Sequence, residues 1–170
     1  MNVLSAAVEP LDMHPRAAAF ARRARERYDF DPEVREFPEG TKTAEAAADA
    51  IGCEVAQIAS SLAFDADGSL VVAVTSGANR VDEAALGDTV GVPERAVSMA
   101  DAERVRDDLG WSIGGVPPFC HDRAVPVVLD ETLQSFETVW AAAGTPNAVF
   151  PVSPETILEY ADAEPASIAE

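Results

Sequence analysis

Lysine is nearly absent from this chain of 170 residues: eleven of its twelve basic residues are arginine, and Lys42 stands alone. Histidine and cysteine are as sparse, present only as His14, His121, Cys53 and Cys120. No group of them has metal-ligand spacing, which argues against a histidine-based zinc site; no metal or cofactor is expected. Two cysteines make no disulfide framework, and free thiols are the simplest state for both. No apolar run approaches the roughly 20 residues of a membrane helix. The opening "MNVLSAAVEPLDMHP" lacks a basic n-region and has too short an apolar run for a secretory signal. A soluble, cytoplasmic protein is expected.

Acidic residues, by contrast, are abundant. Thirty of them give a net charge of −18. They are spread along the whole chain, so the charge belongs to the entire surface. Such a surface suits a high-salt cytoplasm, where the Debye length falls to about 3 Å near 1 M and self-repulsion fades. A mimic of a polyanion that binds basic partners is the alternative; dispersed acids without a repeat favour salt adaptation. Hydrophobic residues make up 48% of the chain, enough for one domain with a proper core.

Local signals divide the chain into short elements. "HPRAAAFARRARERYDF" predicts a helix opened by Pro15, and "VREF" a short strand closed by Pro38 and Gly40. Thr43 can cap a helix over "AEAAADAI", with Gly52 just past its end. "IASSLAFDA" and "SLVVAVTSG" flank Asp67-Gly68, a strong hairpin signal. Period-2 alternation puts Ile58, Ser60, Leu62 and Phe64 on one face and Ala59, Ser61 and Ala63 on the other. A short helix should end near Gly91, and Asp101 can cap "AERVRDDL" before Gly110. "WSIGGVPPFCH" reads as a strand end running into a Gly/Pro loop. "AVPVVLD" and "TVWAAAG" read as strands around a short helix, "AVFPV" as the last strand, and Ser153-Pro154-Glu155 as a final helix start. Irregular alternation of strands and short helices predicts a mixed-sheet α/β or α+β domain rather than a doubly wound one.

The loop "IGGVPPFCH" is the most distinctive stretch. Adjacent glycines allow close backbone approach to a ligand, and Pro117-Pro118 stiffen the turn. Such a loop can aim N–H groups at a carbonyl oxygen that gains charge during ester cleavage; it can equally be a tight loop at a sheet edge. From about His14 to Ala163 the chain resembles the YbaK family, also described as the prolyl-tRNA synthetase-associated editing domain. The matching stretches are "HPRAAAF", "EGTKTAEAAADAIGCEVAQIASSLAF", "VAVTSGANRVD", "IGGVPPF", "PVVLDETL" and "WAAAGTPNAVF". The resemblance implies a domain over 14–163 between a lead (1–13) and a tail (164–170), with a small mixed β-barrel wrapped by helices. It also implies trans-editing, the hydrolysis of the ester that joins a wrong, small amino acid to its tRNA.

In that family the pocket resembles two parts of this chain, the Gly114–Pro118 loop and the strand "QIASSL", where Ser60 stands in place of the family's lysine. Cys120 likewise replaces a glycine. A buried lysine can hold the nucleotide end by charge; a serine brings no charge. The resemblance implies Ser60, Gly114, Gly115 and Pro118 as the reacting site. Ser61, Ser76, Gly77, Arg80, Val116, Pro117, Thr145 and Asn147 are implied to bind substrate. A serine nucleophile at Ser60 would need His121 within reach, and a Cys120–His121 dyad is disfavoured because neighbours point apart. Arg16, Arg22 and Arg23 on the basic first helix could meet the phosphates of a tRNA acceptor end, or form a solvated face paired with carboxylates. Two functions follow: a free-standing deacylase, in which a synthetase is a possible associate, or a binder of aminoacyl-tRNA ends, nucleotides or amino acids that lost activity with the lysine. Arg80 reaching into the pocket would favour the first; an apolar pocket with no cation would favour the second.

Overall fold

A computed structural model describes residues 13–37 and 43–170; Lys42, Pro38 and Gly40 lie outside the described residues. Its helices are α1 (Pro15–Tyr28), α2 (Ala44–Ile51), α3 (Glu83–Val90), α4 (Ala102–Leu109) and α5 (Pro154–Ala161). Its strands are β1 (Arg35–Glu36), β2 (Ile58–Ala66), β3 (Ser69–Ser76), β4 (Val97–Met99), β5 (Val127–Asp130), β6 (Val139–Ala142), β7 (Ala148–Val152) and β8 (Glu164–Ala166). The expected caps hold α2, α4 and α5. The side chains of Thr43, Asp101 and Ser153 accept the N–H groups of Ala46, Arg104 and Thr156, and Gly52 and Gly110 follow α2 and α4 in left-handed conformation.

The strands form one mixed sheet in the order β1-β7-β6-β2-β3-β5-β8, with β4 added beside β2. The β2–β3 hairpin is its spine, in register from Ala59↔Ser76 to Ala66↔Ser69. Asp67 and Gly68 turn it with φ of 54° and 90°, the double positive φ that matches strand twist in a two-residue turn. Parallel pairs β2–β6, β3–β5 and β5–β8 complete the sheet, so the domain is a mixed α/β fold, as expected.

Both faces of the spine are covered. Ala59 and Ala63 of β2 join Val72 and Val74 of β3 in the main core, where α1 adds Ala17, Phe20 and Ala24. Phe64 and Ala66 face the other way with Val71, Ala73 and Leu86 of α3. Ile58 packs with Ala47 of α2, Trp140 and Val149 in a third cluster. The alternation of β2 is therefore as expected. The face turned to the main core carries Ser61 beside Ala59 and Ala63, and Ser60 lies on the opposite face.

Three stretches differ from expectation. Trp111–His121 contains no strand. Trp111 is buried, its indole N–H donates to the Cys120 carbonyl at 3.0 Å, and the backbone closes local turns instead of a ladder. Val97–Met99 forms β4, paired to Phe64–Ala66. The segment expected as a tail is woven into the sheet: β8 pairs with β5, Ile168 is fully buried, and the Asp82 N–H donates to the Ile168 carbonyl at 2.7 Å.

Candidate functional site

The outer edge of β2 is shared by two strands that diverge. β6 pairs with Ile58–Ala59 and β4 with Phe64–Ala66, and the Ala100 N–H donates to the Ala63 carbonyl at 3.0 Å. No described strand covers the edge between them. A cavity of about 220 Å³ lies at this opening. Ser60, Ser61 and Leu62 line one wall, and Gly114 and Val116 of the proline loop line another. Alanines 47, 59, 63, 100, 142 and 148 and Trp140 give the rest a small-residue, apolar character. Met99 and Ile113, 55% and 52% exposed, also border it.

Hydrogen bonds on the hairpin show which β2 groups face the opening. The Gly77 N–H donates to the Ile58 carbonyl, so residues 58, 60 and 62 direct their backbone groups at β3. Alternation then directs Ala59, Ser61 and Ala63 outward. Ala59 meets β6 and Ala63 meets Ala100. The N–H and C=O of Ser61 face the gap. Its Oγ is buried and has no hydrogen-bond partner among the described residues.

The proline loop is fixed from behind. The Gly115 N–H donates to Ser112 at 2.9 Å and its carbonyl accepts from Gly144 at 3.0 Å. A Cβ on Gly115 would stand 2.7 Å from Thr145 Cα, so glycine is required for the approach of these two loops. Gly114, at φ 91°, is exposed at the cavity mouth and its N–H has no partner among the described residues. His121 is buried with Nε2 2.8 Å from the Pro117 carbonyl. Burial pushes its pKa down, against the pull of that carbonyl, so the ring is neutral and donates from Nε2. Cys120 is buried at φ 68°, a left-handed conformation that favours glycine over a residue with a Cβ. Burial pushes its thiol up to about 11, which leaves it inert near neutral pH.

The other expected site residues sit elsewhere. Pro117 and Pro118 of the loop are buried, as is Thr145, whose Oγ accepts the N–H of exposed Asn147 at 3.4 Å. Ser76 is fully buried, donating to the Ala56 carbonyl at 2.8 Å. Gly77 lies where a Cβ would stand 2.6 Å from the Val55 carbonyl and 2.7 Å from Ala44, so it is a packing glycine. Arg80 is exposed and does not line the cavity. The described lining contains no lysine, arginine, histidine, aspartate or glutamate.

The arginines of α1 are largely occupied. Arg16 and Arg23 sit over the Trp111 ring at 4.5 and 4.9 Å; Arg16 also donates to the Gly110 carbonyl, and Arg23 pairs with Asp122 at 2.7 Å. Arg27 donates to the His121 carbonyl at 3.0 Å. They clamp α1 onto the segment leading into the proline loop. Arg22 is exposed without an ion pair to any described residue.

A residue outside the expected site, Asp130, is a buried carboxylate that organises the far end of β3. It accepts from the Ser76 N–H at 3.1 Å, Asn79 at 2.9 Å, the Thr132 N–H at 2.9 Å and Thr75 Oγ at 3.3 Å. Burial alone would raise its pKa, but the Asn79, Thr132 and Ser76 donors hold it below the usual carboxylate range. Its position at the end of an apolar strand run, before Glu131-Thr132, was the available signal.

Comparison with known proteins identifies this assembly of loop and strand. The family model for the aminoacyl-tRNA editing domain matches residues 38–160. The chain belongs to the aminoacyl-tRNA editing domain family. Among proteins of this kind it is similar to the uncharacterized protein YwhH of Bacillus subtilis strain 168, 33% identical over 129 residues, which span 75% of this chain and 80% of that protein. A solved structure described as a candidate trans-editing enzyme for prolyl tRNA synthetase is 37% identical, with a TM-score of 0.87 over 94% of this chain and 99% of that one. Another, solved in work on grafting epitope backbones onto scaffold proteins, is 34% identical, with a TM-score of 0.86 over 93% and 99%. As an editing domain, the chain has its cavity between the β2 edge and the proline loop. Among the described residues no helix is long and apolar enough to cross a membrane.

Proposed function

We propose that this editing domain hydrolyses the ester between a mischarged small amino acid and the 3′ end of its tRNA. The observation that carries this reading is the pairing of a small apolar cavity with unspent backbone donors at its mouth, the N–H groups of Gly114 and Ser61. Such donors can stabilise the oxygen that gains charge when water attacks the ester carbonyl. The cavity supplies no acid or base among its described residues, so positioning, backbone electrostatics and a hydroxyl of the substrate's own ribose carry the reaction. Ser60 orients water or the terminal ribose. Arg22 is the available contact for tRNA phosphate, and Arg16 and Arg23 act through the placement of α1. The partner is the acceptor end of aminoacyl-tRNA, with mischarged proline tRNA the first to try, given the relative described for prolyl tRNA synthetase.

A second reading, a binder without turnover, is favoured by one observation: Arg80 stays outside and the described lining has no cation. The two separate in deacylation assays on a panel of mischarged tRNAs in molar potassium chloride, using the natural protein and Ser60→Lys. Hydrolysis by both supports the deacylase. Hydrolysis by Ser60→Lys alone makes the natural protein a binder. Silence from both, with folded protein, removes ester hydrolysis from the account.

A further inference from the structure

The polar groups on the cavity wall have the geometry of an unfinished β-ladder. In a hydrogen-bonded antiparallel pair, one residue gives its N–H and C=O to the C=O and N–H of the residue opposite. Ser61 presents both groups to the gap between β6 and β4, and no described residue takes the opposite place. Its buried Oγ adds a third group without a described partner. Buried polar atoms are rarely left unpaired, and each unmet one is costly. A backbone N–H and C=O left open at the gap beside a buried, unpartnered Oγ, in an otherwise apolar wall, mark the place of a ligand.

The geometry points to an α-aminoacyl group as that ligand, bound as a one-residue strand: its ammonium donates to the Ser61 carbonyl, and its acyl oxygen accepts from the Ser61 N–H. This assignment rests on the proposed function and specifies how the substrate is read. An α-amino group and the carbonyl next to it are the smallest unit that can exchange both bonds of such a pair. The side chain then stands perpendicular to the strand, among the alanines of the wall. Charge narrows the class further. The described lining has no cation. A free amino acid would bring a carboxylate against this apolar wall without a partner, whereas an ester or amide keeps the ammonium and removes the negative charge. Ser61 therefore selects amino acids whose carboxyl is esterified, and the free amino acid produced by hydrolysis leaves readily.

The test uses the full chain in molar potassium chloride and three probes: 3′-deoxyadenosine carrying L-alanine through a 3′-amide, the same compound carrying propionate, and free L-alanine. Binding is followed by amide NMR. The alanyl compound is expected to shift the Ser61 N–H signal, and the propionyl compound and free alanine to bind at least tenfold more weakly. Ser61→Ala, with its spectrum showing the native fold, is expected to weaken the alanyl compound about threefold while keeping the order of the three. Equal binding of alanyl and propionyl compounds, an unmoved Ser61 signal at saturation, or no binding at millimolar probe overturns the assignment. The two readings fail separately. Expected probe binding without hydrolysis of any tRNA ester removes the deacylase and leaves the Ser61 site. Equal hydrolysis of alanyl and propionyl esters removes the Ser61 site and leaves the deacylase.

Discussion

Replacing Gly115 by alanine tests the placement of the proline loop with a single methyl group. The new Cβ would stand 2.7 Å from Thr145 Cα, 2.8 Å from Thr145 N and 3.0 Å from Gly144 C. All three are backbone atoms, so no side chain can swing aside. The two loops must separate, which stretches the 3.0 Å bond from the Gly144 N–H to the Gly115 carbonyl. Overpacking of this kind costs about 1–3 kcal/mol, and weakening the bond adds roughly 0.5–1.5 kcal/mol. The sum, about 1.5–4.5 kcal/mol, corresponds to a fall in Tm on the order of 3–18 °C for a chain of this size. Thermal and urea unfolding in molar potassium chloride measure it. Gly114→Ala is the internal comparison: its Cβ meets only Pro146, at 3.4 Å, and its cost is the left-handed strain of about 1–2 kcal/mol. A Gly115→Ala protein within 0.5 kcal/mol of the natural one would refute the described contact between the loops.

Asp130→Asn replaces an acceptor of four hydrogen bonds by a group that must turn a donor toward donors; urea unfolding should show a loss of about 2–4 kcal/mol. At position 120 the usual order of alanine over glycine is expected to vanish: left-handed backbone costs alanine about 1–2 kcal/mol, so Cys120→Gly should unfold at no lower temperature than Cys120→Ala. His121 is held neutral by burial, with its pKa lowered from 6.5, so the unfolded chain binds a proton more readily than the folded one. Its contribution to stability is whole above 6.5 and is lost as pH falls toward the depressed folded value. Unfolding curves from pH 7.5 to 5.5 should show this slope in the natural protein and a shallower one in His121→Gln.

The parts of the fold legible in sequence were those written locally. Thr43 with Gly52, Asp101 with Gly110, and Ser153 before Pro154 set helix ends through their own hydrogen bonds, and Asp67-Gly68 set the hairpin through its own φ values. The strand β4 was not legible because Ser98 and Met99 are exposed and the segment is extended only through its pairing with β2. Trp111 looked like part of a strand, but arginines from the distant helix α1 and the Cys120 carbonyl hold it in a loop. The site was legible as a pair of stretches and not as a geometry. Alternation separated Ser60 from Ser61, but β3 is covered on both faces, so no pattern of polarity says which face of its partner meets the main core. Neither did composition show that the arginines of α1 would be used on Trp111 and Asp122, or that Arg80 would remain in solvent.

The central claim is hydrolysis without a lysine in the β2 wall, and the direct measurement is the single-turnover deacylation rate of mischarged proline tRNA with excess natural protein in molar potassium chloride. A rate at least tenfold above the protein-free reaction is expected, reduced by Gly115→Ala under conditions where that variant is folded. A rate equal to the protein-free control, from folded protein that binds the same tRNA, would contradict it.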